Sequence, residues 1–111
     1  MTLPWLSEEE NFIKDTAERF AREQLAEGYM GRSKDEALDR DLLRKMGQLG
    51  LIAPIFAEEN GGIGATSMVQ GVICEAIAYA DINLSYMCMT TPLIGCVIEK
   101  YGSTETKEEV L

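Results

Sequence analysis

The sequence contains no histidine, and its three cysteines, Cys74, Cys88 and Cys96, form an odd set without a C-x-x-C spacing. The first absence removes the usual imidazole from metal ligation, from acid–base work and from any Ser–His–Asp arrangement. The second suits neither a disulfide framework nor a zinc site, so the thiols read as buried and reduced. Basic residues are scarce: 10 Lys and Arg stand against 19 Asp and Glu, a formal net charge of −9. Nucleic acid and anionic membrane surfaces both call for basic patches. Neither is an expected partner, and the charge reads as a solubility device. No apolar run approaches the ~18 residues that cross a bilayer. The start, Met1-Thr2-Leu3-Pro4-Trp5-Leu6, lacks the basic segment of a signal peptide and the Arg-rich character of a transit peptide. The reading is a cytosolic chain, or one already processed. Internal repeats and low-complexity tracts are missing too.

What is present is ordinary globular material: 111 residues, 46% apolar and 26% charged. That fits one domain with a real core. The dominant pattern is helical. Ser7 with Glu10 reads as a capping box, with Leu6 as its staple. Phe12, Ile13, Ala17, Phe20, Ala21 and Leu25 then mark one face of a first helix. Gly28 and Gly31 break it, and a polar loop runs to about Leu38. Asp39 or Asp41 caps a short second helix whose apolar side is Leu42, Met46 and Leu49, and Gly50 ends it in a left-handed conformation. Leu51 to Phe56 is too short for a helix and holds Pro54, so an extended apolar linker is expected there.

Glu58-Glu59-Asn60-Gly61-Gly62-Ile63-Gly64 reads as a turn. Thr66 or Ser67 caps a third helix with the stripe Met68, Val69, Val72, Ile73, Ala76, Ile77 and Ala80, a face for the middle of a bundle. A fourth helix carries Leu84, Met87, Thr91, Ile94, Val97, Ile98 and Tyr101. Pro92 falls inside it, predicting a kink near Cys88 or a broken first turn. Gly102 ends it, and Ser103 or Thr104 starts a fifth that stops at Leu111 after barely two turns. A helix that short is marginal unless it packs or continues, so the chain reads as part of a longer protein. The expected fold class is all-α: a helical bundle of about five helices, with orthogonal or up-down packing and no sheet.

Chemistry-bearing motifs are few. Gly61 to Gly64 lacks both the GK[ST] of a P-loop and a GxGxxG, so it reads as a structural turn. Glu8, Glu9, Glu10, Glu58, Glu59, Glu108 and Glu109 sit at helix starts and in a turn, where carboxylates suit the helix dipole. Glu75, flanked by apolar residues, is expected to be partly buried, in a structural salt bridge or a helix-end contact rather than in catalysis. The stretch Met87 to Gly95 interrupts an apolar helix with hydroxyls, a proline and a glycine. Thr90 and Thr91 beside Met87 and Met89 suit either a ligand cavity or plain helix packing. No catalytic, cofactor-binding or metal-ligating residue is assigned.

Taken in order, several segments resemble the acyl-CoA dehydrogenase family. They are Leu6-Ser7-Glu8-Glu9-Glu10, then Arg44 to Leu51, Pro54 and Glu58 to Gly64, then Cys74-Glu75-Ala76-Ile77-Ala78, and finally Tyr101-Gly102-Ser103 with Glu105 and Lys107. The resemblance covers nearly all of 1–111 and implies the N-terminal helical domain of a three-part enzyme, with a middle β-domain and a C-terminal helical domain outside this chain. It implies FAD as cofactor and 2,3-desaturation of an acyl-CoA thioester: a carboxylate takes the α-proton while the β-hydrogen leaves as hydride to the flavin. The base and most flavin contacts belong to the later domains, so this chain alone is expected to be inactive. By position, Met89, Thr90 and Leu93 match the family's pocket-lining helix, and Met89 and Leu93 share one helical face. Pro92 within that helix and the bulk of Met89 depart from the family pattern. The resemblance further implies a homotetramer or homodimer, electron-transferring flavoprotein as acceptor, and a cytoplasmic or, after processing, mitochondrial-matrix location. An acyl-CoA oxidase, a flavin monooxygenase relative and a non-catalytic helical interaction module are the alternatives.

Overall fold

The computed structural model describes residues 2–34 and 38–111. Every regular element among them is helical. Helix α1 (Glu8–Phe20) continues into a π-helical turn (Ala21–Leu25) and is followed by α2 (Tyr29–Arg32). Helix α3 (Arg40–Gln48), a 3-10 turn (Glu58–Asn60), α4 (Ser67–Ala80), α5 (Ile82–Tyr101) and α6 (Thr104–Val110) complete the order. The all-α expectation holds. The described residues carry one helix more than the five expected, because Tyr29–Arg32 coils within the stretch read as a loop, with Gly31 inside it. The remainder of that expected loop includes residues 35–37, which lie outside the described residues.

Helix starts follow local chemistry. Ser7 Oγ accepts from Glu10 N at 3.1 Å while Glu10 Oε1 accepts from Ser7 N at 2.9 Å, the reciprocal box the sequence predicts. Asp39, Thr66 and Ser103 cap α3, α4 and α6 through their side chains; each such cap is worth about 1 kcal/mol. Gly50 closes α3 with φ +75°, the left-handed conformation expected of it.

Helix α4 is the middle of the bundle. It packs on α5 to one side and on α1 with its π-helical turn to the other. Their shared core is Ala17, Phe20, Ala21, Leu25, Met46, Leu51, Val69, Ile73, Ile77, Leu84 and Cys88. Each large aliphatic side chain here contributes about 1.5–3 kcal/mol by leaving water. The molecule is a slab of 41 × 40 × 18 Å, less than two helix diameters thick. A slab this thin leaves helix faces bare.

Several face assignments are corrected by the structure. Phe12 is 70% exposed and Met68 is exposed as well. On α1 the buried positions are Asn11, Lys14, Ala17 and Phe20. Asn11 earns its burial by tying down the N-terminal segment: it accepts from Leu3 N at 2.8 Å and donates to Leu3 O at 3.1 Å and Leu6 O at 3.2 Å. Glu75 is exposed rather than partly buried, and no ion pair of it is found among the described residues. The Leu51–Phe56 segment packs on the core as expected, burying Leu51, Pro54 and Phe56, but it turns instead of extending.

Helix α5 departs furthest from expectation. Its first turn is intact, capped by Asp81, whose Oδ1 accepts from Asn83 N at 3.0 Å and Leu84 N at 3.2 Å. Pro92 sits well inside a continuous helix, so the broken-first-turn alternative is overturned. The buried side is Leu84, Ser85, Cys88, Pro92 and Gly95; Thr91, Ile94, Val97 and Tyr101 of the expected stripe are exposed. The cause is steric. A Cβ on Gly95 would strike the Phe56 ring, so the compact side of the helix lies inward and the bulky side outward. At 20 residues, α5 is also long and apolar enough to cross a bilayer, contrary to the reading of the sequence. Its inner side is occupied by α4 and Phe56.

Candidate functional site, the outer face of α5

The outward side of α5 carries Tyr86, Met89, Leu93, Ile94, Val97 and Tyr101, all exposed. Met89 is 52% and Leu93 67% exposed, four residues apart and so on one side of the helix. Thr90 lies between them, half-buried, with its hydroxyl donating to Tyr86 O at 2.7 Å. That bond ties the hydroxyl to its own helix and leaves the oxygen's lone pairs available. The three residues singled out from sequence are thus brought together, on a surface that is mostly apolar. Large exposed apolar patches are where contact and ligand surfaces are sought, which makes this face the candidate site.

The glycine turn behaves differently. Gly61 N donates to Glu58 O, Gly62 N to Ala57 O, Ile63 N and Ala65 N to Pro54 O, and Gly64 N to Phe56 O, at 2.8–3.1 Å. Every donor that a phosphate would need is already spent on the chain's own carbonyls. A Cβ on Gly62 would collide with the Phe56 backbone, so this glycine permits a close crossing of two strands of chain. The turn therefore does not fit the pyrophosphate of a dinucleotide, and it is structural, as its sequence suggests.

The turn is locked to α5 by a residue that sequence reasoning missed. Glu99 Oε2 accepts from Ala57 N at 3.0 Å and from Asn60 Nδ2 at 2.8 Å. The Asn60 bond chiefly, and then the Ala57 N–H, hold the Glu99 carboxyl below its ordinary range, with Lys107 adding to the effect. A shallow open groove of about 660 Å³ runs beside it, lined by Glu59, Asn60, Glu99, Lys107 and Leu111 among others. Two further links were also missed. Arg32 Nε donates to Asp81 Oδ2 at 2.9 Å, and Arg32 also donates to Leu25 O. Gln70 Nε2 donates to Cys88 O at 2.8 Å. The first spans 49 residues in sequence, beyond the reach of any local pattern. The second had a signal, since Pro92 deprives the Cys88 carbonyl of its helical donor.

Of the three cysteines read as buried, Cys88 is, whereas Cys74 and Cys96 are only partly buried. Cys74, Cys88 and Cys96 are free thiols. Burial pushes Cys88 up to about 12, with Cys74 nearby adding to the shift, and burial raises Cys74 as well. Neither is poised as a thiolate nucleophile. No cluster of three potential metal ligands occurs among the described residues.

The described residues thus form a thin all-helical slab in which the outer side of one long helix is exposed and largely apolar. The family model described as "Acyl-CoA dehydrogenase, N-terminal domain" matches residues 7–111, and the chain belongs to that family. The short/branched chain specific acyl-CoA dehydrogenase of Bos taurus mitochondria is 28% identical over 110 residues, covering 98% of this chain and 26% of that protein. The mitochondrial isobutyryl-CoA dehydrogenase of Dictyostelium discoideum is 26% identical over 106 residues, covering 96% of this chain and 26% of that protein. A chain from a solved structure concerned with the electron transferring flavoprotein of Acidaminococcus fermentans and flavin-based electron bifurcation superposes with a TM-score of 0.85. It is 28% identical, covering 97% of this chain and 29% of that one. The chain therefore spans about a quarter of the length of the curated relatives it matches.

Proposed function

We propose that this chain is the substrate-side domain of an FAD-dependent acyl-CoA dehydrogenase that desaturates an acyl-CoA thioester between C2 and C3. The observation that carries the reading is the outer face of α5, where Met89, Thr90 and Leu93 lie together on an exposed, mostly apolar surface within the family match. In this reading Met89 and Leu93 wall the acyl chain, and Thr90 offers the one polar atom of the three side chains. The catalytic base and the grip on the flavin lie elsewhere in the protein. The spent donors of the glycine turn support that division. The remaining domains of the same polypeptide cover the rest of the α5 face, in a homotetramer or homodimer. Electron-transferring flavoprotein is the proposed acceptor, and the cytoplasm or mitochondrial matrix the proposed location.

Met89 occupies space where a long acyl chain would run, which favours short, branched or ring-bearing acyl groups. The names of the bovine and Dictyostelium relatives, short/branched chain and isobutyryl, are in keeping with this. The test is to purify the full-length protein that carries this chain, measure bound flavin, and add short, branched and long acyl-CoAs without oxygen. Bleaching of the flavin by a short or branched acyl-CoA is the expected result. A full-length protein without flavin, or with flavin that no acyl-CoA reduces, would refute the proposal. Reoxidation by oxygen rather than by an electron-transfer protein would move it to the oxidases.

A further inference from the structure

Proline has no N–H, so Pro92 leaves the carbonyl of Cys88, four residues earlier in α5, without its helical donor. Cys88 is completely buried, and a buried carbonyl without a partner is destabilising. The donor comes instead from the adjoining helix. Gln70 Nε2 on α4 reaches Cys88 O at 2.8 Å and Ile52 O at 3.3 Å. Gln70 is only 8% exposed, and its Oε1 is buried with no hydrogen-bond partner. A half-satisfied buried amide is an expensive choice for a packing position, and an apolar side chain would avoid the orphaned oxygen. Its place in the fold explains the choice. Met89 directly follows the bonded carbonyl and Leu93 directly follows the proline, so the amide grips α5 at the turn that carries both. One turn further on, Gly95 lies against the Phe56 ring, which fixes the helix a second time.

We infer that Gln70 is a positioning residue: by bonding the Cys88 carbonyl that Pro92 leaves unpaired, it sets the tilt of α5's outer face and with it the depth of the acyl pocket at Met89 and Leu93. The specificity role rests on the dehydrogenase reading above. The coupling of Gln70 to Pro92 does not, and the two are measured separately.

The experiment uses the full-length protein with Gln70→Leu, Pro92→Ala and the double substitution. Hydrogen exchange of the α5 peptides reads the coupling. Gln70→Leu alone should speed exchange around Met89–Leu93 about 10-fold, because the carbonyl loses its donor. In the Pro92→Ala background, where residue 92 regains an N–H for that carbonyl, the acceleration should fall to about 3-fold or less. Equal acceleration in both backgrounds overturns the coupling. If Gln70→Leu alone fails to fold while the double substitution folds, the coupling is supported; if both fail, it is overturned. The second reading is the ratio of kcat/KM for a long straight acyl-CoA to that for a branched one. Gln70→Leu should change this ratio about 10-fold, and the double substitution should restore it. Uniform slowing on all acyl-CoAs would overturn the positioning role. A protein that oxidises no acyl-CoA would sink the dehydrogenase reading and the specificity role with it, leaving the exchange result to decide the coupling.

Discussion

Replacing Asp81 with alanine should open the junction between α4 and α5 more than any other single truncation there. Asp81 is 1% exposed and serves two structures at once. Its Oδ1 caps α5 through Asn83 N and Leu84 N, and its Oδ2 pairs with Arg32 Nε at 2.9 Å. Loss of the cap costs about 1 kcal/mol. Loss of the pair strands Arg32, whose side chain is 17% exposed. Breaking a buried pair costs about 3–5 kcal/mol, and residual solvent access with the retained bond to Leu25 O puts this one at the lower end. The total, about 4 kcal/mol, is a large share of the roughly 5–15 kcal/mol that holds a domain together. Asp81→Asn keeps an oxygen for the cap and should cost about half as much. The assay is hydrogen exchange of peptides spanning α2 and the first turn of α5 in the full-length protein. A double-mutant cycle with Arg32→Ala isolates the pair, and a coupling of about 2 kcal/mol is expected. Additive single effects, or exchange in Asp81→Ala within about 3-fold of the parent, would refute the reasoning.

Three further outcomes follow from the same physics. The carboxyl of Glu99 is held below its ordinary range, so its grip on the Ala57–Gly64 turn is present at neutral pH and is lost as pH falls through the depressed value; Glu99→Gln should remove this acid sensitivity, as read from exchange of residues 57–64 on an acid titration. Gly62→Ala, whose Cβ would meet the Phe56 backbone, should destabilise by about 3 kcal/mol, whereas Gly47→Ala, with open space and a helical position, should stabilise by about 0.5–1 kcal/mol, both read from thermal unfolding. With its thiol raised from 9.0 to about 12, Cys88 should alkylate about 1,000-fold more slowly at pH 8 in the folded protein than after denaturation, as followed by mass spectrometry.

Local signals were legible and distant ones were not. Ser7 with Glu10, Asp39, Thr66 and Gly50 announce helix ends because their partners lie within four residues. The orientation of α5 was misread because both of its sides are apolar, so periodicity admits two solutions. The choice is made by contact of Gly95 with Phe56, 39 positions earlier in the sequence. Asn11 and Lys14 look like solvent-facing residues on a helical wheel, yet Asn11 is buried by the bonds it makes to the N-terminal segment. On the site, the spacing of Met89 and Leu93 places them on one side of the helix. That this is the outer side depends on the small residues opposite. Gln70 was legible only as one consequence of Pro92, a proline whose missing donor requires a substitute somewhere in the fold.

The most direct test of the central claim is the chain-length profile of the full-length protein with and without Met89→Ala. If Met89 fills the far end of an acyl pocket, removing its thioether arm should raise kcat/KM for longer straight-chain acyl-CoAs relative to short or branched ones by about 10-fold or more. An active Met89→Ala enzyme with an unchanged profile would mean that the outer face of α5 packs against protein and does not wall the substrate.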